Sequence, residues 1–530
     1  MKKQSFIFGT LILSISGIIC KILGAFYKIP LANILGSQGM GIYYLIFPVY
    51  AFFVTFVSSS FTVSISKNVS VSIAKNNFAF AHRVFSASLL LLFFIGLSLS
   101  VLLSVLCKVI STLQGFENAF VCYLILAPAI VVVAISSAFK GFFQGLHNMT
   151  PSATSQIINQ VIKLATGYSL ANILVGQGAM FGTIGAILGV TVAEFVTCAF
   201  FVVVYFVFKK RNKNFFEHSQ KSTQPKLSAV MSMVFTQSVP FTLSSIILPM
   251  SLVIDSFLIL NILKSIGFEK LFSTGLLGLN SGVVNTLVNL PSTLSVAVCM
   301  TIVPFISFAL SKKDYESVSN KASLALKLTM LISLPCCFIF AIFSRPIIST
   351  LYSSSFESVY ELNVASSLLS ISAINIFYLS LLQLSTAFLQ AINKSYVPVI
   401  SLCVGLVLKV VFELIFISMP SLNIAGAVIS NAVCYFTASI VNIIYFRRSV
   451  RLNFSFFKIV ICPLIASITA TFSIYVMMSL LQNVLSIVGS TLISIFVGIA
   501  IYVLAVFALR TFTKEERSAL FLMKARQKSA

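Results

Sequence analysis

Of 530 residues, 58% are hydrophobic and only 9% charged. Soluble chains carry about 25% charged residues, and no soluble core buries so much apolar surface. The 35 Lys and Arg against 12 Asp and Glu leave a net charge of +23. On a soluble protein that would suggest nucleic acid, but on a membrane chain it first signals basic cytoplasmic loops and names no partner. The ten cysteines all lie in or at the ends of apolar runs and form no CxxC. They read as buried free thiols, not as a disulfide scaffold. The composition predicts an all-α polytopic membrane protein. Met1-Lys2-Lys3 and the apolar run behind it imitate a signal peptide, but the run is too long and lacks a small-residue cleavage site, so it reads as a retained first helix.

A spanning helix needs about 20 mostly apolar residues. Fourteen such stretches occur, near 6–27, 40–60, 84–107, 119–141, 155–175, 180–208, 236–262, 282–310, 322–344, 363–390, 396–418, 424–446, 457–481 and 486–509. With the N-terminus inside, the inner segments hold 26 Lys and Arg, the outer ones five and the spans four, which accounts for all 35. That asymmetry satisfies the positive-inside rule and predicts that both termini are cytoplasmic. The basic run Lys209-Lys210-Arg211-Asn212-Lys213 falls between spans six and seven, where a linker between halves belongs.

The halves carry matching motifs. Gln144, Pro151 and Lys163 around spans four and five answer Gln390, Pro398 and Lys409 around spans ten and eleven; both Gln-to-Lys separations are nineteen residues, at an offset of 246. Gly185-Ala186 answers Gly426-Ala427 at an offset of 241, and Val63-Ser64-Ile65-Ser66 answers Val303-Pro304-Phe305-Ile306-Ser307. The expected organisation is a six-helix bundle at 1–208, a basic linker at 209–235, a second six-helix bundle at 236–446, two added helices at 447–509 and a tail at 510–530. Six is even, so the repeat is parallel, and transporters built this way bind substrate between their halves.

Ionisable groups inside spans are costly and point to function. Lys21 and Lys28 are seven residues apart on the first helix, two turns along one face and about 10 Å apart. Lys163 lies near mid-span in span five, on a polar stripe with Gln156, Asn159 and Gln160, and Gln144 precedes it. The stripe reads either as interhelical hydrogen bonding or as the wall of a hydrophilic cavity. Asp255 in span seven is a candidate for ion coupling or gating, together with Lys409 and Glu413, an i,i+4 pair in span eleven that also reads as a structural salt bridge. Glu194 in span six has no evident partner. Lys327, about five residues from the inner end of its span, is expected to snorkel.

Catalytic constellations are absent. His82, His147 and His218 are scattered on the inner side, and no HExxH, GxSxG or Walker A sequence occurs. The outer segments 263–281 and 345–362 offer Glu269, Glu357 and Glu361 but neither His nor Asp. An envelope glycosyltransferase or polymerase would need acid/base groups there. The chain therefore does not read as an enzyme, and no cofactor or metal site is expected.

The run Lys21-Ile22-Leu23-Gly24-Ala25-Phe26-Tyr27-Lys28-Ile29-Pro30-Leu31, followed by Leu35-Gly36 and Gly39-Met40-Gly41-Ile42-Tyr43, resembles the opening of the stage V sporulation protein B family. That family sits with polysaccharide transport proteins and lipid II flippases in the multidrug/oligosaccharidyl-lipid/polysaccharide exporter superfamily. Ile65-Ser66-Lys67, Lys140-Gly141-Phe142-Phe143-Gln144-Gly145, Met149-Thr150-Pro151, Ser155-Gln156, Val239-Pro240, Leu248-Pro249, Ile254-Asp255-Ser256 and Leu290-Pro291 extend the resemblance along the chain. There are departures. The family usually has Glu where Asn159 stands and often Arg where Lys21, Lys28 and Lys163 stand. The lipid II flippases also carry a cation in the eighth span, and 282–310 has none. Lysine keeps the charge but loses the bidentate phosphate fork.

The resemblance implies a flippase for a polyprenyl-pyrophosphate-linked saccharide, a precursor of the cell envelope such as peptidoglycan or spore cortex, working by alternating access in a bacterial cytoplasmic membrane. Lys21, Lys28, Lys163, Gln144, Gln156 and Asn159 are then the expected substrate-binding residues, with membrane lipids and cell-envelope synthesis proteins as neighbours and no nucleic acid. A multidrug or cation antiporter of the same superfamily is the alternative, and its cavity should favour carboxylates over lysines. An envelope glycosyltransferase or polymerase, disfavoured by the thin outer-segment chemistry, is a second alternative, and a non-transporting scaffold in sporulation a third.

Overall fold

Apolar runs rich in Leu, Val, Ile, Phe and Ala have one way to satisfy their backbone in lipid without closing a barrel, which is the α-helix. A computed structural model of the chain describes residues 6–211, 225–352, 355–356, 358–450, 456–509 and 511–512, and among these no strand occurs. The helices are α1 (Phe6–Ala74), α2 (Phe78–Leu113), α3 (Phe120–Gly145), α4 (Thr150–Leu174), α5 (Ala179–Arg211), α6 (Leu227–Ser245), α7 (Ile247–Ser265), α8 (Lys270–Gly278), α9 (Asn285–Ser311), α10 (Tyr315–Ile342), α11 (Ser344–Leu351), α12 (Val359–Ala391), α13 (Tyr396–Ile417), α14 (Ala425–Ser449), α15 (Cys462–Leu481) and α16 (Ile487–Ala508). Twelve helical stretches are long and apolar enough to cross a membrane. Two differences separate that number from the fourteen expected spans. The stretch Ile15–Ala74 counts once although it holds both of the first two spans, and α4 is too polar along its Gln156–Lys163 stripe to qualify.

At 69 residues α1 would run about 100 Å unbroken, some three times the hydrocarbon thickness. It is broken at Gly36, whose φ of 65° and ψ of −176° lie where a side chain is not tolerated. The expected outer loop 263–281 is corrected by the structure, since most of it is helix α8, joined to α9 by a π-helical turn at Leu279–Val284. Its small residues let it lie directly on α1: a Cβ at Gly41 would meet the backbone of Thr274, and one at Gly278 the backbone of Ser37. Span seven is divided into α6 and α7 and begins at Leu227, nine residues earlier than expected. The inner segment 209–235 is thus helical at both ends, with Lys209, Lys210 and Arg211 in the last turn of α5, where cations complement the helix dipole. Residues 212–224 and 513–530 lie outside the described residues.

Contacts divide the chain into two compact units. The first takes in the described residues of Met1–Thr286, Ser354–Glu357 and Val410–Ala427. Its core is aromatic: Phe85 packs on Phe142 at 4.6 Å between ring centres and on Phe139 at 5.3 Å, and Phe139 stacks on Phe201 at 6.2 Å. The second takes in the described residues of Leu287–Ser353, Ser358–Lys409 and Val428–Ala530. There Phe388 stacks on Phe446 at 4.8 Å within an aliphatic cluster.

Two turns are built alike. After α1, Asn76 (φ 53°) donates its N–H to Ile73 and Asn77 donates to Ser72, and the Asn77 side chain then caps α2. After α9, Lys313 (φ 57°) donates to Leu310 and Asp314 to Ala309, and the Asp314 side chain caps α10. The same left-handed closure recurs at His147 after α3 and Asn393 after α12, 246 positions apart, where the carbonyls of Gln144 and Gln390 accept.

Candidate functional site

The two limbs of α1 and the helices α3, α4 and α5 assemble a charged and aromatic cluster within the first unit. The first limb supplies Tyr27 and Lys28, and the second supplies Tyr43, Tyr44, Phe47 and Tyr50 at three- and four-residue spacing. Helix α4 crosses them and sets the Lys163 ammonium 5.4 Å from the Tyr27 ring centre and 4.9 Å from that of Phe47. The Lys28 ammonium sits 5.3 Å from the ring centre of Tyr44. Tyr43 stacks on Phe47 at 5.2 Å, meets Tyr44 edge-on at 5.5 Å, and Phe47 leans on Tyr50 at 6.0 Å. The negative ring faces attract both cations, so a half-buried ammonium is held without a carboxylate in direct contact.

Glycines allow this approach. Gly167 on α4 faces Tyr27, so that a Cβ there would stand 2.7 Å from the phenolic oxygen. On α5, a Cβ at Gly189 would run into the backbone of Gly167. The close α4–α5 contact brings Glu194 within electrostatic range of Lys163 and of Lys140 on α3, and Asn159 hydrogen-bonds to it. Asn159 also donates to Thr197 Oγ1 at 3.2 Å. Lys28 and Lys163 are themselves close enough to repel.

Of the residues expected at a substrate site, the structure brings together Lys28, Lys163 and Asn159. Lys21 is exposed on α1, two turns before Lys28, and Gln156 is half-buried on α4. Gln144 closes the α3–α4 turn, where its amide donates to Ser152 Oγ at 3.3 Å. Asp255 is half-buried on α7. Lys409 and Glu413 are both 1% exposed, one turn apart on α13. Lys327 does not snorkel into the open: it is 4% exposed, with its ammonium 5.8 Å from the Phe512 ring centre. The reading from sequence missed the tyrosines and left Glu194 without a role. The spacing of Tyr43, Phe47 and Tyr50 on one helical face was the available signal. The partners of Glu194, which are Lys163, Asn159 and Lys140, lie 31, 35 and 54 positions away and leave none. Among the described residues no group of three or more His, Cys, Asp or Glu side chains is placed to hold a metal ion.

An all-helical multi-pass membrane protein with a cationic, tyrosine-rich cluster beside its broken first helix is the class that these features define. The family model described as polysaccharide biosynthesis protein matches residues 7–309, and that described as MatE matches 281–415. The chain belongs to the polysaccharide biosynthesis protein family. It is 26% identical over 433 residues to stage V sporulation protein B of Bacillus subtilis (strain 168), covering 81% of each chain. It is 24% identical to the lipid II flippase MurJ of the same organism, over 83% of this chain and 82% of that one. Among solved structures, the inward closed conformation of a lipid II flippase MurJ superposes with a TM-score of 0.69 at 17% identity, over 94% of this chain and 99% of that one. These relatives carry the names of transport and sporulation proteins, not of enzymes.

Proposed function

We propose that the protein is a flippase for a polyprenyl-pyrophosphate-linked saccharide of the cell envelope, with the pyrophosphate held at Lys28 and Lys163. The observation that carries the reading is the pair of ammonium groups from α1 and α4, each held on aromatic rings, leaving their N–H donors for an anion. A pyrophosphate in hydrocarbon would be prohibitively unsolvated, so its carrier has to offer cations and hydrogen-bond donors at membrane depth. Lys21 extends the cationic track along α1. Gln156 and Asn159 line the same stretch of α4 as Lys163, and Gln144 holds the turn from which α4 departs. The polyprenyl tail stays in lipid, and the motion is alternating access in a bacterial cytoplasmic membrane. Asp255 and the Lys409–Glu413 pair are our candidates for ion coupling or gating.

A multidrug or cation antiporter is the second reading, favoured by the MatE match over 281–415. It fits the cluster less well, since among the described residues Lys163 and Lys140 share Glu194, and Lys28 adds a further cation beside Lys163. The test is reconstitution of the purified protein in vesicles with defined polyprenyl-pyrophosphate saccharides. Flipping that is lost in Lys28→Ala and Lys163→Ala at unchanged protein level supports the reading. Export of organic cations with no movement of any polyprenyl-linked saccharide overturns it.

A further inference from the structure

Four tyrosine hydroxyls in the cluster, those of Tyr27, Tyr43, Tyr44 and Tyr50, are buried and have no hydrogen-bond partner in the protein. Tyr27, Tyr43 and Tyr50 are 2%, 0% and 4% exposed. They are near neighbours: Tyr43 lies within electrostatic range of Tyr27, Tyr44 and Tyr50, and Tyr27 of Tyr44. A buried hydroxyl deprived of a partner is destabilising, and native structures keep few such groups. Phenylalanine would fill the same space and hold the same lysines by the same ring faces. Four hydroxyls retained together, beside two ammonium groups, mark a place built for something that accepts hydrogen bonds.

We infer that the hydroxyls of Tyr27, Tyr43, Tyr44 and Tyr50 are the neutral half of a phosphate-oxygen site whose cationic half is Lys28 and Lys163. This rests on the flippase reading and adds its specificity-determining residues. A phenol donates one O–H to a phosphate oxygen and keeps no charge when the ligand leaves. Two lysines supply the charge and four phenols the directional donors, an arrangement that holds an anion yet releases it more readily than a cage of arginine forks. Glu194 limits the attraction further: it lies within range of Tyr50 and Lys163, while Lys140 offsets it from the other side. The hydroxyls come from both sides of the break at Gly36, Tyr27 before it and the other three after it.

The experiment uses the full-length protein in lipid nanodiscs. Tyr43→Phe, Tyr50→Phe, Tyr44→Phe and the Tyr43→Phe/Tyr50→Phe double variant are compared with the parent. The probes are sugar-free polyprenyl pyrophosphate and inorganic pyrophosphate, and thermal unfolding is measured without ligand. Each lost bond to a charged phosphate should weaken lipid pyrophosphate binding about tenfold, while unfolding temperatures stay level or rise because an unpaired buried hydroxyl has gone. Parent-like affinity in the double variant overturns the inference and leaves the flippase reading intact. A fall in both stability and affinity also overturns it, since the hydroxyls would then be serving the fold. A parent that binds neither pyrophosphate probe sinks both readings. A parent that binds inorganic pyrophosphate as tightly as the lipid keeps the phosphate site and removes the flippase reading.

Discussion

Lys163→Met separates charge from packing at the centre of the cluster. Methionine keeps an unbranched apolar stem against Tyr27 and Phe47 and removes the ammonium that lies 5.4 and 4.9 Å from their ring centres. Each cation–π contact contributes about 0.5–2 kcal/mol, depending on how dry the site is. Two of them make about 1–4 kcal/mol lost. Against that, a half-buried ammonium no longer has to be desolvated, which in protein interiors costs several kcal/mol per ion, and the repulsion from Lys28 disappears. The terms nearly offset, so unfolding of the purified variant in detergent should shift by less than about 2 kcal/mol. Binding should behave differently. Loss of a charge-assisted hydrogen bond to pyrophosphate amounts to about 1.5–3 kcal/mol, or roughly ten- to a hundredfold in affinity, with flipping in vesicles falling alongside. Lys163→Arg should retain most of both. The reasoning fails if Lys163→Met flips at the parent's rate, or if it unfolds with a loss above about 3 kcal/mol while the folded fraction still flips normally, because the lysine would then be a strut.

Gly36→Ala should lower stability by about 1–3 kcal/mol, measured by thermal unfolding, because the residue occupies a backbone region that only glycine adopts freely. Gly189→Ala drives a methyl group into the backbone of Gly167 and should reduce the yield of folded protein, whereas Gly176→Ala, where nothing lies within 4 Å, should leave it unchanged. Lys327→Ala should destabilise by about 1–3 kcal/mol in the same unfolding assay, as expected of a residue that is buried instead of snorkelling. Single-cysteine variants at positions 213 and 517 should be labelled from the cytoplasmic side, and labelling from outside would reverse the proposed orientation.

The spans were legible because hydropathy over about 20 residues follows directly from what lipid tolerates. Segment 263–281 misled because serine, threonine and glycine read as loop, whereas here their small size is what lets α8 lie against Ser37 and Gly41 of α1. The first two spans read as separate for a sound reason, a Gly36 break, but the helix resumes at once and carries the chain to Ala74. In the site, the lysines were visible because a cation inside an apolar run is costly. The tyrosines were not, since an aromatic residue in such a run packs like any other. Their missing partners are a property of the folded chain alone. Lys327 was misjudged by counting residues to the end of its span, a measure that ignores Phe512, 185 positions later, closing over it.

The recurrent turns bear on where function resides. Left-handed closures at Asn76 and Lys313, each followed by a capping side chain, and at His147 and Asn393, reproduce the same backbone in both halves of the sequence. We read them as remnants of one repeated unit. The side chains have nonetheless parted. Lys163 is half-buried among tyrosines and Phe47, while its counterpart Lys409, 246 positions on, is 1% exposed with Glu413 one turn away. A lysine this buried would have to be uncovered before it could meet a dianion. Lys163, set against ring faces with Glu194 within electrostatic range, is the less buried of the two and the better placed to meet a ligand. The same turn geometry thus precedes a half-buried lysine on aromatic rings in the first half and a fully buried one in the second, and it is at the first that we propose the pyrophosphate binds.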